Sequence, residues 1–304
     1  MDLSAPLRIN IQLTMACNQD CRYCYNPDHK SSRTMSYEDF TLVSDRVVEA
    51  GIFKVALAGG EPFLHPQFFE IYEYISKKSL TIPIILTNGS VWNQDTIDKI
   101  RKIKQFFEPK IQVSLDSLEP IMGLQNRHIG KTVKFIETLI QEGIMPSIGT
   151  LVTKNNYRKV PDIVRYFGEN IEFYHFMGPM MSFHTQDWIA RNSPTDENIA
   201  WLAKELISLN LKYDFQKEFS DLESRTVHNC GSNCGVGCAA AYTHCVVTPE
   251  LDVMACEITP EIIIGNLREN SFQEIWGSSC ARHVQKADFA LCHDKEKYTQ
   301  LLME

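Results

Sequence analysis

Three cysteines lie close together near the start of the sequence, in the order Cys17-Asn-Gln-Asp-Cys21-Arg-Tyr-Cys24. Three thiolates can hold three irons of a [4Fe–4S] cluster, whereas clusters that serve electron transfer are held by four cysteines. The fourth iron would then be open to a chelating small molecule. Structural thiols or part of a zinc site are the alternatives, but zinc sites favour paired cysteine knuckles with four ligands. The spacing therefore predicts an iron–sulfur cluster with one open iron.

The segments around this loop alternate between β-like and helix-like patterns, which predicts βα units and a parallel sheet. The predicted strands are Leu7–Thr14, Phe53–Ala58, Ile82–Thr87, Lys110–Asp116, Met145–Val152 and Ile171–Met177. The predicted helices lie near residues 36–50, 66–78, 93–104, 130–143, 156–167 and 195–210, the last starting at Pro194-Thr195-Asp196-Glu197. The cysteine loop then follows the first strand, at the end of parallel strands where active sites form.

Two predicted strands alternate between apolar and polar residues, which places the two kinds on opposite faces. The apolar residues are Leu7, Ile9, Ile11 and Leu13 in the first strand, and Ile111, Val113 and Leu115 in the fourth. The polar residues are Arg8, Asn10, Gln12, Thr14, Gln112, Ser114 and Asp116. We expect the apolar face under the helices and the polar face inside a barrel that holds a ligand. A solvated face of an antiparallel sheet is the alternative, but the parallel βα order disfavours it.

The second strand ends in Ala58-Gly59-Gly60-Glu61-Pro62. Two glycines permit unusual φ angles and let a ligand approach the backbone closely, and Glu61 can accept hydrogen bonds from an ammonium group. With the cysteine triplet about forty residues earlier, and Tyr23 before its last cysteine, the sequence resembles the radical S-adenosylmethionine (SAM) superfamily.

This resemblance implies a partial (β/α)6 TIM-like barrel and a [4Fe–4S] cluster whose open iron binds SAM. Reductive cleavage of SAM would give a 5′-deoxyadenosyl radical that abstracts a hydrogen atom from a substrate. The cofactor-binding residues implied by the resemblance are Tyr23, Gly59, Gly60, Glu61, Ser114, Asp116 and Arg127. Ser114 and Asp116 correspond to contacts with the SAM ribose, and Arg127 to a contact with its carboxylate. From the residues alone, Asp116 can equally end a strand, and Arg127 can be a surface charge.

The last third of the chain has its own cysteines, namely Cys230, Cys234, Cys238, Cys245, Cys256, Cys280 and Cys292. Two β-rich runs between Cys238 and Cys256 flank a plausible turn at residues 248–252, which predicts a β-hairpin that brings these two cysteines together. Gly265-Asn266 and an aromatic helix near residues 272–276 follow. This order resembles the SPASM/twitch extension of radical SAM enzymes, which implies an auxiliary Fe–S cluster.

The extension departs from a full SPASM domain in two ways. The dense cysteine group that ends full SPASM domains is lacking, and Leu251 replaces the usual glycine of the hairpin turn. We therefore expect a shortened, twitch-like module with one auxiliary cluster. Its predicted ligands are Cys238 and Cys256, completed by Cys234 or Cys230 and by Cys292 or Cys280. Cys245 is expected to be a core thiol. The predicted domains are a barrel over 1–215 and a cysteine-rich β-hairpin/helix module over 216–304.

Composition excludes several classes of protein. The chain has 304 residues, 44 % of them hydrophobic, and a formal net charge of −8 without a basic tract, which argues against a nucleic-acid partner. It shows no signal peptide and no apolar run long enough to span a bilayer. Its ten cysteines are then expected to be reduced, metal-binding thiols of a cytoplasmic protein without a membrane partner.

These features favour a radical SAM oxidoreductase that matures a ribosomally made peptide by crosslinking, epimerisation or oxidation. An enzyme acting on a sugar, an amino acid or a cofactor precursor is the alternative, and a non-catalytic Fe–S scaffold or electron carrier is a rival of another class. The expected partners are the substrate and a reductant such as flavodoxin or ferredoxin. Because the first strand begins near residue 7, leader-peptide binding is expected to need a separate protein.

Overall fold

The computed structural model describes residues 3–24, 26, 31–78, 81–121, 124, 128–179, 186–217, 219 and 241–285. Strands alternate with helices along its first two thirds, which confirms the predicted α/β class. The strands there are β1 (Arg8–Thr14), β2 (Lys54–Gly59), β3 (Ile82–Thr87), β4 (Lys110–Ser114), β5 (Ser147–Leu151) and β6 (Tyr174–Met177). The helices are α1 (Tyr37–Glu49), α2 (Phe68–Ser76), α3 (Gln94–Lys104), α4 (Ile129–Gln141), α5 (Val160–Phe167), α6 (Gln186–Asn192) and α7 (Asp196–Ser208).

The C-terminal part of the described chain adds β7 (His244–Val247), β8 (Asp252–Met254), β9 (Ile263–Asn266), α8 (Phe272–Gly277) and α9 (Ser279–Gln285). The chain forms two compact units. The first contains Met1–Asn18, Asn26–Leu86 and Gly231–Glu304, and the second contains Gln19–Tyr25 and Thr87–Cys230. Among the described helices, none is long and apolar enough to cross a membrane.

The sheet of the first unit is built around β1. This strand pairs in parallel with β2 on one side and with β7 on the other, and β2 pairs in parallel with β3. The chain then turns back from β7 into β8 and from β8 into β9, both antiparallel. The predicted C-terminal hairpin is therefore confirmed, and it continues the sheet to which β1 belongs.

The core of the first unit includes one face of β1. Ile9, Ile11 and Leu13 are at most 1 % exposed, as their alternation with polar residues predicts. The prediction was wrong for Leu7, which is 54 % exposed, because β1 begins only at the following residue. The next helix, α1, starts where Ser36 Oγ accepts a hydrogen bond from the backbone N–H of residue 39 at 3.1 Å, as an N-cap serine does.

The second unit contains the parallel strands β4, β5 and β6. The predicted start of the last helix before the cysteine-rich segment is confirmed, because Thr195 Oγ1 accepts a hydrogen bond from Asn198 N at 3.3 Å. The Asn198 side chain accepts one from Thr195 N in return. This reciprocal capping box satisfies backbone donors that a helix N-terminus leaves without partners.

The helix predicted over 156–167 is shorter than expected, because α5 begins at Val160. The Asn156 side chain is the physical reason. Its Oδ1 accepts from Thr153 N at 2.7 Å, and its Nδ2 donates to Leu151 O at 2.6 Å. An asparagine that bonds nearby backbone groups in this way favours a turn over a helix.

The hairpin turn between β7 and β8 has a backbone conformation that favours glycine. Leu251 has φ +69°, in the left-handed region that costs an L-residue roughly 1–2 kcal/mol. Its side chain is nevertheless fully buried. Burial of the leucine therefore offsets the strain at the position where the resemblance predicts glycine.

We expect Leu251→Gly to lower the melting temperature. Relief of the strain recovers about 1 kcal/mol, whereas loss of a buried leucine side chain costs about 2–5 kcal/mol. Leu251→Ala loses the packing and keeps the strain, so it should melt at a still lower temperature. Thermal unfolding followed by circular dichroism measures this order. A Leu251→Gly variant that melts at or above the wild-type temperature would contradict the explanation.

Candidate active site

The loop that contains Cys17 leaves β1 and returns alongside it. Met15 N donates to Arg33 O at 2.8 Å, and Met35 N donates to Leu13 O at 2.9 Å. Both ends of the loop are therefore fixed at the carboxyl end of β1, where parallel βα folds place their active sites.

The three loop cysteines are all half-buried. Cys24 N donates to Cys21 O at 3.0 Å, so these two residues belong to one tight turn. The Gln19 side chain lies beside them, with its Oε1 atom 3.6 Å from Cys21 Sγ. Since cysteine thiolates are the usual ligands of Fe–S clusters, this set of donors fits the predicted cluster.

The two glycines at the end of β2, Gly59 and Gly60, lie against the start of the cysteine loop. Gly60 N donates to Thr14 O at 2.7 Å, and Glu61 N donates to Ala16 O at 2.8 Å. Gly59 has φ +129°, and a Cβ atom on it would overlap the carbonyl oxygen of Thr14. A Cβ atom on Gly60 would overlap the carbonyl oxygen of Ala16. The absence of side chains here therefore lets the loop's own backbone approach, a role the sequence did not reveal.

Glu61 is fully buried directly after these glycines. One of its carboxylate oxygens accepts a hydrogen bond from Phe63 N at 3.2 Å and so caps the short 3-10 turn Pro62–Leu64. The backbone contact to Ala16 and this cap fix the carboxylate from two sides.

Tyr23, in the second unit, is tied to a buried carboxylate. Its hydroxyl donates to Asp116 Oδ2 at 2.5 Å, and the other carboxylate oxygen accepts from Leu151 N at 2.8 Å. Burial raises the pKa of Asp116, and these two hydrogen bonds oppose that shift. Burial and the charge of Asp116 raise the pKa of Tyr23 well above its usual value. Tyr23 therefore keeps its proton and acts as a fixed donor.

Asp116 does not share the surroundings of Ser114, although the sequence placed both on one strand face. β4 ends at Ser114, which is exposed, whereas Asp116 is 4 % exposed. The strand ends early because side chains bond the next two carbonyls: Thr150 Oγ1 donates to Leu115 O at 2.8 Å, and Asn156 Nδ2 donates to Asp116 O at 3.0 Å. Each Asp116 carboxylate oxygen already accepts one hydrogen bond from the protein.

Two residues that contact Tyr23 or Asp116 were not predicted from the sequence. Asn156 is fully buried and bonds the backbone of Asp116, and Trp188 packs against Tyr23 with ring centroids 5.6 Å apart. A polar residue just after a strand end was the available signal for Asn156. No sequence pattern pointed to Trp188. Arg127 lies outside the described residues.

Of the C-terminal cysteines, Cys256 is half-buried in the turn after β8, beside His244 and Glu257. Cys245 is fully buried, and burial raises its pKa, as a core thiol requires. Cys280 is exposed, with Sγ 3.7 Å from Ile263 O. The remaining candidate ligands lie outside the described residues, namely Cys230, Cys234, Cys238 and Cys292.

Two family models match the chain. Residues 11–167 match the model of the radical SAM superfamily, and residues 238–295 match SPASM, an iron–sulfur cluster-binding domain. The first match contains the cysteine loop and the two glycines. The second contains Cys256 and the confirmed hairpin.

Curated relatives are similar over most of this chain. The antilisterial bacteriocin subtilosin biosynthesis protein AlbA of Bacillus subtilis is 25 % identical over 297 residues, which cover 93 % of this chain and 62 % of AlbA. The AdoMet-dependent heme synthase of Methanosarcina barkeri is 24 % identical over 298 residues, which cover 90 % of this chain and 82 % of that protein. The chain therefore spans about three fifths of the length of AlbA.

A solved structure has a similar fold. Streptococcus suis SuiB bound to precursor peptide SuiA matches with a TM-score of 0.74 at 14 % identity, over 93 % of this chain and 67 % of SuiB. Similarity at this identity concerns the fold alone. It confirms the predicted class, a mixed α/β fold of the partial-barrel type.

We expect Gly60→Ala to lose iron from the cluster predicted at the cysteine loop, because its Cβ atom must displace the backbone of Ala16. Gly130→Ala is the matched control, since no atom lies within 4 Å of a Cβ at that position in α4. Iron and sulfide are counted after anaerobic reconstitution of each variant. Wild-type iron content in Gly60→Ala would show that the contact does not position the loop.

We expect Tyr23→Phe and Asp116→Asn to be coupled. Tyr23→Phe leaves a buried carboxylate oxygen without its partner, and Asp116→Asn sets a donor NH2 against either the Tyr23 hydroxyl or the Leu151 N–H. Each change costs about 1–3 kcal/mol. The double variant should lose less stability than the two single variants together, because the second change removes a partner that is already gone. Urea unfolding of all four proteins measures this coupling. Strict additivity would mean that the hydrogen bond contributes nothing.

Proposed function

The chain belongs to the radical SAM superfamily, and from this premise we propose that it modifies a ribosomally made peptide by crosslinking, epimerisation or oxidation. The observation that carries the proposal is the similarity to AlbA, a bacteriocin biosynthesis protein, over 93 % of this chain. The fold shared with SuiB, solved with a precursor peptide, is consistent with a peptide substrate.

The family match confirms the predicted cofactors, a [4Fe–4S] cluster and SAM. The SPASM match implies an auxiliary Fe–S cluster as well. When bound, the first cluster and SAM supply one-electron cleavage of the sulfonium and a radical able to abstract hydrogen. Such chemistry belongs to the cofactors, and the protein supplies placement and shielding from water.

The residues of this chain would divide that work as follows. Cys17, Cys21 and Cys24 hold the first cluster. Glu61, fixed by its cap on Phe63, accepts hydrogen bonds from the ammonium group of SAM. Gly59 and Gly60 position the loop through its backbone, as well as leaving room for the ligand, and Arg127 binds the SAM carboxylate.

Tyr23 and Ser114 would contact the nucleoside part of SAM, and Asp116 would act through Tyr23. Ser114 is exposed at the end of β4 and offers its hydroxyl directly. Asp116 acts chiefly by holding the Tyr23 hydroxyl at 2.5 Å, because each of its carboxylate oxygens already accepts a hydrogen bond from the protein. Tyr23 then presents its ring in one fixed orientation.

The auxiliary module would use Cys234, Cys238, Cys256 and Cys292 as ligands. Its proposed domain, over residues 216–304, follows the barrel over residues 1–215 in the sequence. A reductant such as flavodoxin or ferredoxin delivers the electron. A separate protein that binds the leader of the peptide substrate is a further proposed partner.

A small-molecule substrate is the second candidate. The similarity to the heme synthase favours a small-molecule substrate. The matched residues cover 82 % of the heme synthase but only 62 % of AlbA. A non-catalytic Fe–S scaffold is disfavoured by the Gly59-Gly60-Glu61 sequence, which such a protein would not need.

We expect reconstituted protein with SAM and a reductant to form 5′-deoxyadenosine and to change the mass of a peptide encoded by a neighbouring short reading frame. The variant with Cys17, Cys21 and Cys24 all replaced by alanine is the control and should do neither. Both products are measured by mass spectrometry. If the wild type cleaves SAM and changes the mass of an added sugar or amino acid but not that of the peptide, the small-molecule alternative is supported. Absence of 5′-deoxyadenosine from the wild type would support the scaffold.

A further inference from the structure

Three side chains with metal-binding atoms meet at the open end of the C-terminal hairpin: His244, Cys256 and Glu257. Their ligand atoms all lie within 4.8 Å of one another. Glu257 Oε2 is 3.7 Å from Cys256 Sγ and 3.8 Å from His244 Nε2. The side chains of His244 and Glu257 are only 14 % and 15 % exposed.

The strand register explains why His244 faces Cys256. Val246 pairs with Met254 in the antiparallel ladder of β7 and β8, so two residues further His244 lies opposite Cys256. Opposite residues of an antiparallel pair share one face of the sheet, and their neighbours point to the other. Cys245 accordingly lies in the core, whereas His244 and Cys256 share the other face.

Backbone hydrogen bonds also join the two arms of the hairpin at this end. Ala241 N lies 3.1 Å from His244 O and 3.2 Å from Ala255 O, so one amide bridges the two strands. The same amide therefore fixes the backbone of His244 and of the residue before Cys256. The two side chains do not depend on a long loop for their separation.

Glu257 is fixed from β1. Asn10 Nδ2 donates to Glu257 Oε1 at 2.8 Å, and β1 pairs with β7 in a register that sets Arg8 beside His244. The second carboxylate oxygen, Oε2, is the one that approaches His244 and Cys256. Cys256 Sγ donates to this oxygen across 3.7 Å. Metal binding requires the thiol to lose that proton, and a metal centre would then take its place beside the carboxylate and the imidazole.

The donors also suggest what kind of centre binds there. Thiolate sulfur and imidazole nitrogen are ligands that transition metals prefer. In some Fe–S clusters, histidine takes the place of cysteine as a ligand. Glu257 is the weaker candidate, because Asn10 already holds its carboxylate.

We propose that His244 is a ligand of the auxiliary Fe–S cluster, bound next to Cys256 and in place of one of the other three cysteines proposed above. This inference rests on the proposed role of Cys256 as a cluster ligand. A neutral imidazole in place of a thiolate makes a cluster less negative and raises its reduction potential. The auxiliary cluster would therefore be a better electron acceptor than one held by four cysteines, which suits it to take an electron from a substrate radical.

The test uses the full chain with Cys17, Cys21 and Cys24 replaced by alanine, so that only the auxiliary cluster remains. The protein is made with ¹⁵N-labelled histidine, reconstituted with iron and sulfide, reduced and examined by pulsed electron paramagnetic resonance. We expect a histidine nitrogen coupling that His244→Ala abolishes. His244→Cys should retain the iron and lower the midpoint potential. Cys245→Ala, which changes a neighbouring thiol in the core, should leave the spectrum unchanged.

Several results would overturn the proposal. One is an iron-loaded cluster without a histidine coupling, and another is a spectrum that responds to Glu257→Gln but not to His244→Ala. Stoichiometric zinc that depends on His244 and Cys256 would reject a cluster ligand as well. So would a triple variant that has the wild-type circular dichroism spectrum but binds no iron. Failure of the proposed peptide modification would appear separately, as missing products from the wild type.

Discussion

The cysteine loop depends on one close approach between backbones, that of residues 14–16 to Gly59 and Gly60. Two amides at the end of β2 donate to two carbonyls at the end of β1 and beyond it, and no side chain separates them. The backbone after a strand usually has more conformational freedom. Here, backbone hydrogen bonds to Gly60 and Glu61 continue past the end of β1 as far as the residue before Cys17. The sheet, buried through Ile9, Ile11 and Leu13, thereby sets the position from which the loop leaves.

The same strand leads to two candidate metal ligands of the first unit, His244 and Cys17. Its amino end pairs with β7 beside His244, and its carboxyl end leads to Cys17. With a rise of about 3.3 Å per residue, the seven residues of β1 separate these ends by roughly 20 Å. Groups so far apart share no ligand. An auxiliary cluster near His244 would therefore act on the substrate or receive an electron, and it would not hold SAM.

Motifs that act over short spacings were readable from the sequence, and pairings between distant segments were not. The cysteine triplet, the two glycines and the hairpin around residues 248–252 are local patterns, and the strand alternation of β1 identified its buried face. Tyr23 and Asp116 are 93 positions apart, and Asn10 and Glu257 are 247 apart. Nothing in composition or periodicity links such pairs, because the tertiary fold alone brings them together.

The Tyr23–Asp116 pair also changes how a motif residue is understood. The carboxylate lies where the family resemblance implies a ligand contact, yet burial makes its charge costly, and the Tyr23 hydroxyl and the Leu151 amide compensate that cost. The phenol keeps its proton because the same burial raises its pKa. The hydrogen bond therefore persists at neutral pH and fixes the ring, which Trp188 contacts from another side. Since Tyr23 lies between Cys21 and Cys24 in the sequence, fixing its ring restricts that turn. The carboxylate that the family resemblance assigns to a ligand contact therefore anchors the turn.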